Sequence, residues 1–175
     1  MDAMQQDPAA WKRLGETLAG SFAARARGSL VGTSEFAIQG RHGGRVGRLE
    51  IHGPEGAELE AGNLRARIER PTPSRYAMLA GGKRILAAEP VGSMSTPEIR
   101  CFGRPYQSRL SLLRTKAEAA PSGEAVKARV TGGLTNRNYE AVFDTEDEGS
   151  LPIAIFLLYL VITLRREAYT VGQKA

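Results

Sequence analysis

The sequence predicts a mainly β protein, a closed antiparallel β-barrel wrapped around a central hydrophobic C-terminal α-helix, with an N-terminal amphipathic helix. Three observations lead there. Residues 28–143 carry short stretches in which apolar and charged residues alternate, separated by turn signals. One late segment, Leu151 to Leu164 (LPIAIFLLYLVITL), is apolar without interruption by charge. Residues 7–24 repeat apolar positions at helical spacing.

The N-terminal element comes first. Asp7 is a cap, Pro8 suits the first helical position, and Trp11, Leu14, Leu18 and Phe22 follow on one face. Such a helix either packs on the body of the domain or lies in a membrane interface with Trp11 as anchor. Gly15 and Gly20 weaken it, and its polar face is not uniformly basic, so packing is the favoured expectation.

The β region follows. Leu49 and Ile51 alternate with Arg48, Glu50 and His52; Leu64, Ala66 and Ile68 with Arg65, Arg67 and Glu69; Val126, Ala128 and Val130 with Lys127, Arg129 and Thr131. Each reads as a strand with one buried and one wet face. Less regular strands are expected over 34–39, 75–79, 84–88, 98–102, 108–116 and 139–143. Turns are expected at Gly53–Gly56, Ala61–Asn63, Gly81–Gly82, Pro121–Gly123 and Asn136–Asn138. No long helical segment interrupts the series, which disfavours a parallel βαβ fold.

The apolar run decides the architecture. At 1.5 Å per residue its 14 residues span about 21 Å, short of the roughly 30 Å of a bilayer core. Ser150 suits the N-cap and Pro152 the first turn; acids precede the run and Arg165 and Arg166 follow it, matching the helix dipole. A helix apolar all round must be covered on all sides. Half-buried strands need a common core, and a barrel closed around the helix satisfies both. The expected core residues are Ile153, Ile155, Phe156, Leu157, Leu158, Leu160 and Val161. The resulting division is a helical arm over 1–27, a barrel domain over 28–168 holding the helix 151–164, and a tail over 169–175. The rival reading is a tail-anchored membrane protein with a soluble β domain. The N-terminus lacks the features of a signal peptide, so an exported orientation is disfavoured.

Composition narrows the function classes. A length of 175 residues suits one domain with a real core, and the single cysteine, Cys101, leaves no internal disulfide and points to a reducing compartment. The net charge of +5 admits an acidic partner, either an anionic membrane or nucleic acid. The Arg/Gly stretch Gly40–Arg48 could touch phosphate or RNA, but it reads more simply as a hairpin connection and has no aromatic residues for base stacking, so nucleic acid is the weaker choice. No P-loop, HExxH or CxxC occurs, and no metal or cofactor is expected. Cys101 with His42 or His52 could in principle form a Cys/His pair, and a small buried cysteine is the preferred reading. The acidic run Asp144–Glu148 lacks the order of a calcium loop and reads as a helix cap. No enzymatic activity is expected. Cations placed on strands or turns, namely Arg65, Arg67, Lys83, Arg84, Lys127 and Arg129, are the candidate lipid-binding residues; each R/K-x-R pair lies on one sheet face, about 6.8 Å apart.

Strands first and a wholly hydrophobic helix last, with the closing stretch GEAVKARVTGGLTNRNYEAVFDTEDEGSLPIAIFLLYLVITLRRE (123–167), resembles the tubby C-terminal-like superfamily of tubby domains, phospholipid scramblases and LURP-one-related proteins. The resemblance is architectural and spans roughly residues 29–168. It implies a twelve-strand barrel, whereas nine strands are expected from the alternation above. It implies phosphoinositide binding through surface cations, including a Lys-x-Arg pair that Lys127 and Arg129 match. The cysteine-rich and calcium-binding segments of scramblases are missing. The expectation is therefore a non-enzymatic, monomeric, cytoplasmic domain that binds anionic lipid headgroups peripherally at a membrane or serves as a protein-binding scaffold.

Overall fold

A computed structural model describes residues 7–28, 34–90 and 97–174. Helix α1 (Pro8–Thr17) leads into twelve strands: β1 (Ser21–Arg27), β2 (Ser34–Gln39), β3 (Arg45–Ile51), β4 (Gly56–Ala61), β5 (Leu64–Thr72), β6 (Arg75–Ala80), β7 (Lys83–Pro90), β8 (Pro97–Cys101), β9 (Arg104–Ser111), β10 (Lys116–Ala120), β11 (Ala128–Gly132) and β12 (Asn138–Phe143). Helix α2 (Ser150–Lys174) ends the chain. Every neighbouring pair is antiparallel and consecutive in sequence, and β1 closes the circle by pairing with both β12 and β2.

The core of α2 runs inside the barrel. Eight consecutive residues, Ile153 to Leu160, are at most 3% exposed. Eight residues exceed two helical turns, so every face is covered by strand side chains. Tyr76 of β6 stands edge-on to Phe156 at 5.4 Å and to Tyr159 at 6.1 Å, while β8, β10, β11 and β12 pack along the other sides. Each enclosed Leu, Ile or Phe contributes about 1.5–3 kcal/mol of burial. Thr163, the polar exception, returns its hydroxyl to the Tyr159 carbonyl at 2.9 Å. The Tyr159 hydroxyl is buried without a hydrogen-bond partner among the described residues, and burial, followed by Tyr76, raises its pKa to about 12.

Several boundaries differ from expectation. The N-terminal helix stops at Thr17, because Ala19 and Gly20 both take positive φ (55° and 79°) and turn the chain into β1. Residues 21–27 of the expected arm are therefore a barrel strand, in which Phe22 and Ala24 point inward at period two. The expected strand 108–116 is a hairpin: β9 ends at Ser111, the chain turns through 112–115 with Thr115 at φ 51°, and β10 begins at Lys116. No glycine or proline marks that turn. Strand β4, short and half alanine or glycine, carried too weak a pattern to be expected. With β1, β4 and β10 added, nine expected strands become twelve. At the other end, α2 continues past Leu164 to Lys174, through most of the expected tail.

The barrel has two distinct ends. Where α2 begins, α1 lies across the opening with Trp11 fully buried, and a Cβ on Gly15 would sit 3.0 Å from the Phe143 ring. Where α2 leaves, the β9–β10 and β11–β12 turns surround it.

Candidate functional site: two barrel walls and the helix exit

The six candidate lipid-binding cations do not form one site. Arg65 and Arg67 sit on β5, Lys83 and Arg84 at the start of β7, and Arg129 on β11 with Lys127 just before it. In the closed strand order β5 and β11 lie on opposite walls. All six face outward, as expected from the alternation for Arg65, Arg67, Lys127 and Arg129, but most are engaged. Lys127 Nζ lies 3.1 Å from Asp144, and Arg129 Nε 3.1 Å from Glu118. Two backbone and side-chain donors, Glu146 N–H first and then Lys127, hold the Asp144 carboxyl below its ordinary value. Arg67 lies 2.7 Å from Glu69, and Arg65 is 4.0 Å from Glu60. On the β5–β7 wall, Arg67 faces Leu79 across one ladder and Leu79 faces Arg84 across the next, which sets the two cations about 10 Å apart. A groove of about 470 Å³ opens there, lined by Glu58, Glu60, Arg65, Arg67, Gly81 and Gly82. Its two acids balance its two bases.

The chemistry expected of Cys101 is set by burial. Cys101 is 1% exposed, and burial, reinforced by the Asp147 charge, pushes its thiol pKa up, which disfavours a reactive thiolate. Both histidines are exposed on the outside. The acidic run does structural work, as expected, though through Asp147 rather than through Ser150 as N-cap. Gly149 O accepts the first helical bond from Ile153 N. Asp147 Oδ1 accepts from Gly149 N at 2.9 Å and from the Tyr106 hydroxyl at 2.7 Å, while Arg104 lies 3.4 Å from Oδ2. The Tyr106 hydroxyl pKa is raised, by burial first and by Asp147 second. Asp147 therefore binds the start of α2 to the barrel wall.

The helix exit carries a feature that the sequence reading missed. Leu113 and Leu134 are fully exposed (100% and 102%), and Leu112 is 38% exposed. They stand on the β9–β10 and β11–β12 turns, and Gly132 N donates to Thr115 O at 2.8 Å, which ties those turns together. The second turn is also fixed to α2. Arg165 donates to Leu134 O at 3.0 Å, to Gly133 O at 3.2 Å and to the Tyr139 hydroxyl at 2.8 Å, and Asn136 Nδ2 donates to Ile162 O at 3.1 Å. The turns themselves, residues 112–115 and 133–137, hold Arg114 and Arg137 and no acid. The exposed leucines thus sit on held loops whose only charged residues are the arginines Arg114 and Arg137. Leu112 and Leu113 were hidden from sequence reasoning because they fell inside an expected strand, and Leu134 because a lone leucine beside a turn gives no signal of its exposure.

No helix among the described residues is long and apolar enough to cross a membrane. No protein-family model, curated protein or solved structure matches the chain.

Proposed function

We propose that this chain is a non-enzymatic tubby or LURP-one-like domain that docks on anionic phospholipid at a membrane surface, with the helix-exit end toward the bilayer. The observation that carries this reading is the pair of fully exposed leucines on adjoining, hydrogen-bonded turns, rimmed by Arg114, Arg137 and Arg165. Apolar side chains are lost to water unless something covers them, and a ring of cations selects an anionic cover. Entering the interface, each leucine adds up to about 1.5–3 kcal/mol, and each well-placed arginine about 1 kcal/mol. The twelve-strand barrel around a hydrophobic helix supports the family likeness, and the cytoplasmic leaflet is the surface such a cationic rim fits.

Co-sedimentation with vesicles tests the reading. Wild-type protein is expected to bind vesicles containing phosphatidylserine or phosphoinositide, weakly at high salt, and to ignore neutral vesicles. The Leu113→Asp/Leu134→Asp pair should weaken binding at least about tenfold, one decade for each 1.4 kcal/mol lost. If Arg65→Glu/Arg67→Glu abolishes binding and the leucine pair does not, the groove beside β5 is the lipid site instead. Absence of binding to any anionic vesicle would overturn the reading and favour a protein-binding scaffold.

A further inference from the structure

The wall formed by β2, β3 and β4 breaks a local rule of sheet construction. Glu35 faces Glu50 across the β2–β3 ladder, and Glu50 faces Glu58 across the β3–β4 ladder. Like charges directly opposite one another destabilise a sheet. The neighbouring arginines offset the conflict only in part, since each is drawn more closely to another glutamate. Arg45 is drawn to Glu35 at 2.7 Å. Arg48 bonds Glu60 at 3.3 Å and stands 3.8 Å from Glu50. Arg67, the cross-strand neighbour of Glu58, lies 2.7 Å from Glu69.

His52 completes the arrangement. It follows Glu50 by two positions, so both side chains emerge on the outer face, and its backbone N–H is held by Gly56 O at 2.9 Å. Its Nε2 lies 3.6 Å from Glu58 Oε2. One ligand atom from each of Glu50, His52 and Glu58 lies within 4.8 Å of the others. In a tetrahedral zinc site with bonds of about 2.0–2.2 Å, ligand atoms stand about 3.4 Å apart. The His52–Glu58 spacing nearly meets that value, and an adjustment of about 1 Å at exposed side-chain tips closes the rest.

We infer that Glu50, His52 and Glu58 form a three-ligand site for a divalent transition-metal ion of the zinc class, with water in the fourth position. Two carboxylates and a neutral imidazole cancel the charge of the ion, and the ion removes the Glu50–Glu58 repulsion. The donor set of one nitrogen and two oxygens suits zinc, cobalt or nickel better than calcium or magnesium, which prefer oxygen alone. The site lies outside the helix-exit turns and does not depend on the membrane reading.

Titration of the full chain with Co²⁺, followed by visible absorption and calorimetry, tests the inference. One ion per chain is expected. Affinity should fall at least about tenfold in His52→Ala and in Glu58→Gln, a change that preserves side-chain shape. His42→Ala, which removes the only other histidine, should leave affinity unchanged. No binding, equal affinity in His52→Ala, dependence on His42, or a thiolate-to-cobalt band from Cys101 would each overturn it. Zn²⁺ should also raise the melting temperature of the wild type and not that of His52→Ala.

Discussion

Leucine occupies two opposite situations in this protein. Along α2, Leu151, Leu157, Leu158 and Leu160 belong to the most apolar run in the chain and are enclosed by the barrel. On the exit turns, Leu113 and Leu134 have charged or polar residues within two positions and are fully exposed. Hydropathy along the sequence therefore points away from the surface that meets solvent. A long apolar run needs cover, and twelve strands supply it. A single leucine on a turn has no such claim on the core, so its exposure is decided by where the turn sits. Under the proposed function, membrane contact falls to the loops around the helix exit and not to the hydrophobic helix.

The comparison is broken most severely at Leu157. Leu157→Asp would place an unpaired carboxylate among side chains with no water, at a cost of several kcal/mol, comparable with the 5–15 kcal/mol stability of a typical domain. The expected outcome is an unfolded protein by circular dichroism, whether or not lipid is present. Leu157→Ala should cost about 2–5 kcal/mol in chemical denaturation. Asp147→Ala comes next. It leaves Gly149 N and the Tyr106 hydroxyl without their acceptor, and a loss of about 1–3 kcal/mol is expected, with Tyr106→Phe milder because the ring remains. The exit leucines give the reverse pattern. Leu113→Asp and Leu134→Asp should change stability by no more than about 0.5 kcal/mol while removing vesicle binding.

Two smaller effects sharpen the account. Tyr159→Phe removes a buried hydroxyl that has no partner among the described residues, so stability should hold or rise, opposite in sign to most core changes. Asp144 supplies a pH signature. Its folded pKa lies below the ordinary 3.8, so its contribution is full above that value and is lost as pH falls through the lower folded value. Acid denaturation of Asp144→Asn should be correspondingly shallower below pH 4.

The sequence carried the architecture further than the site. Period-two alternation located β3, β5 and β11, though Val126, expected on the buried face of the last, precedes the strand and is exposed, and the charge-free run with its dipole-matched flanks located the core of α2. Strands failed to register where their inward residues were small, as in β4 and β10, or where Phe22 kept helical spacing with Trp11 and Leu18 although the backbone had already turned at Ala19. The outward direction of Arg65, Arg67, Lys127 and Arg129 was legible from the same alternation. Their ion pairs were not, because partners such as Glu118 and Asp144 come from other strands and loops. The Glu50–His52–Glu58 group joins β3 to β4 across a ladder whose second strand had no readable pattern. Of the exit turns, β11–β12 was expected at Asn136–Asn138, while β9–β10 was hidden for a simpler reason: Leu112-Leu113-Arg114-Thr115 has strand-like composition and turns without a glycine.

Hydrogen exchange of the full chain, with and without anionic vesicles, tests the division between the two apolar regions most directly. Amides of Ile153–Val161 are expected to be the slowest in the molecule and unchanged by vesicles, while those of residues 112–115 and 133–137 slow when vesicles are added. Vesicle-dependent exchange within Ile153–Val161, with the exit turns unaffected, would contradict that division.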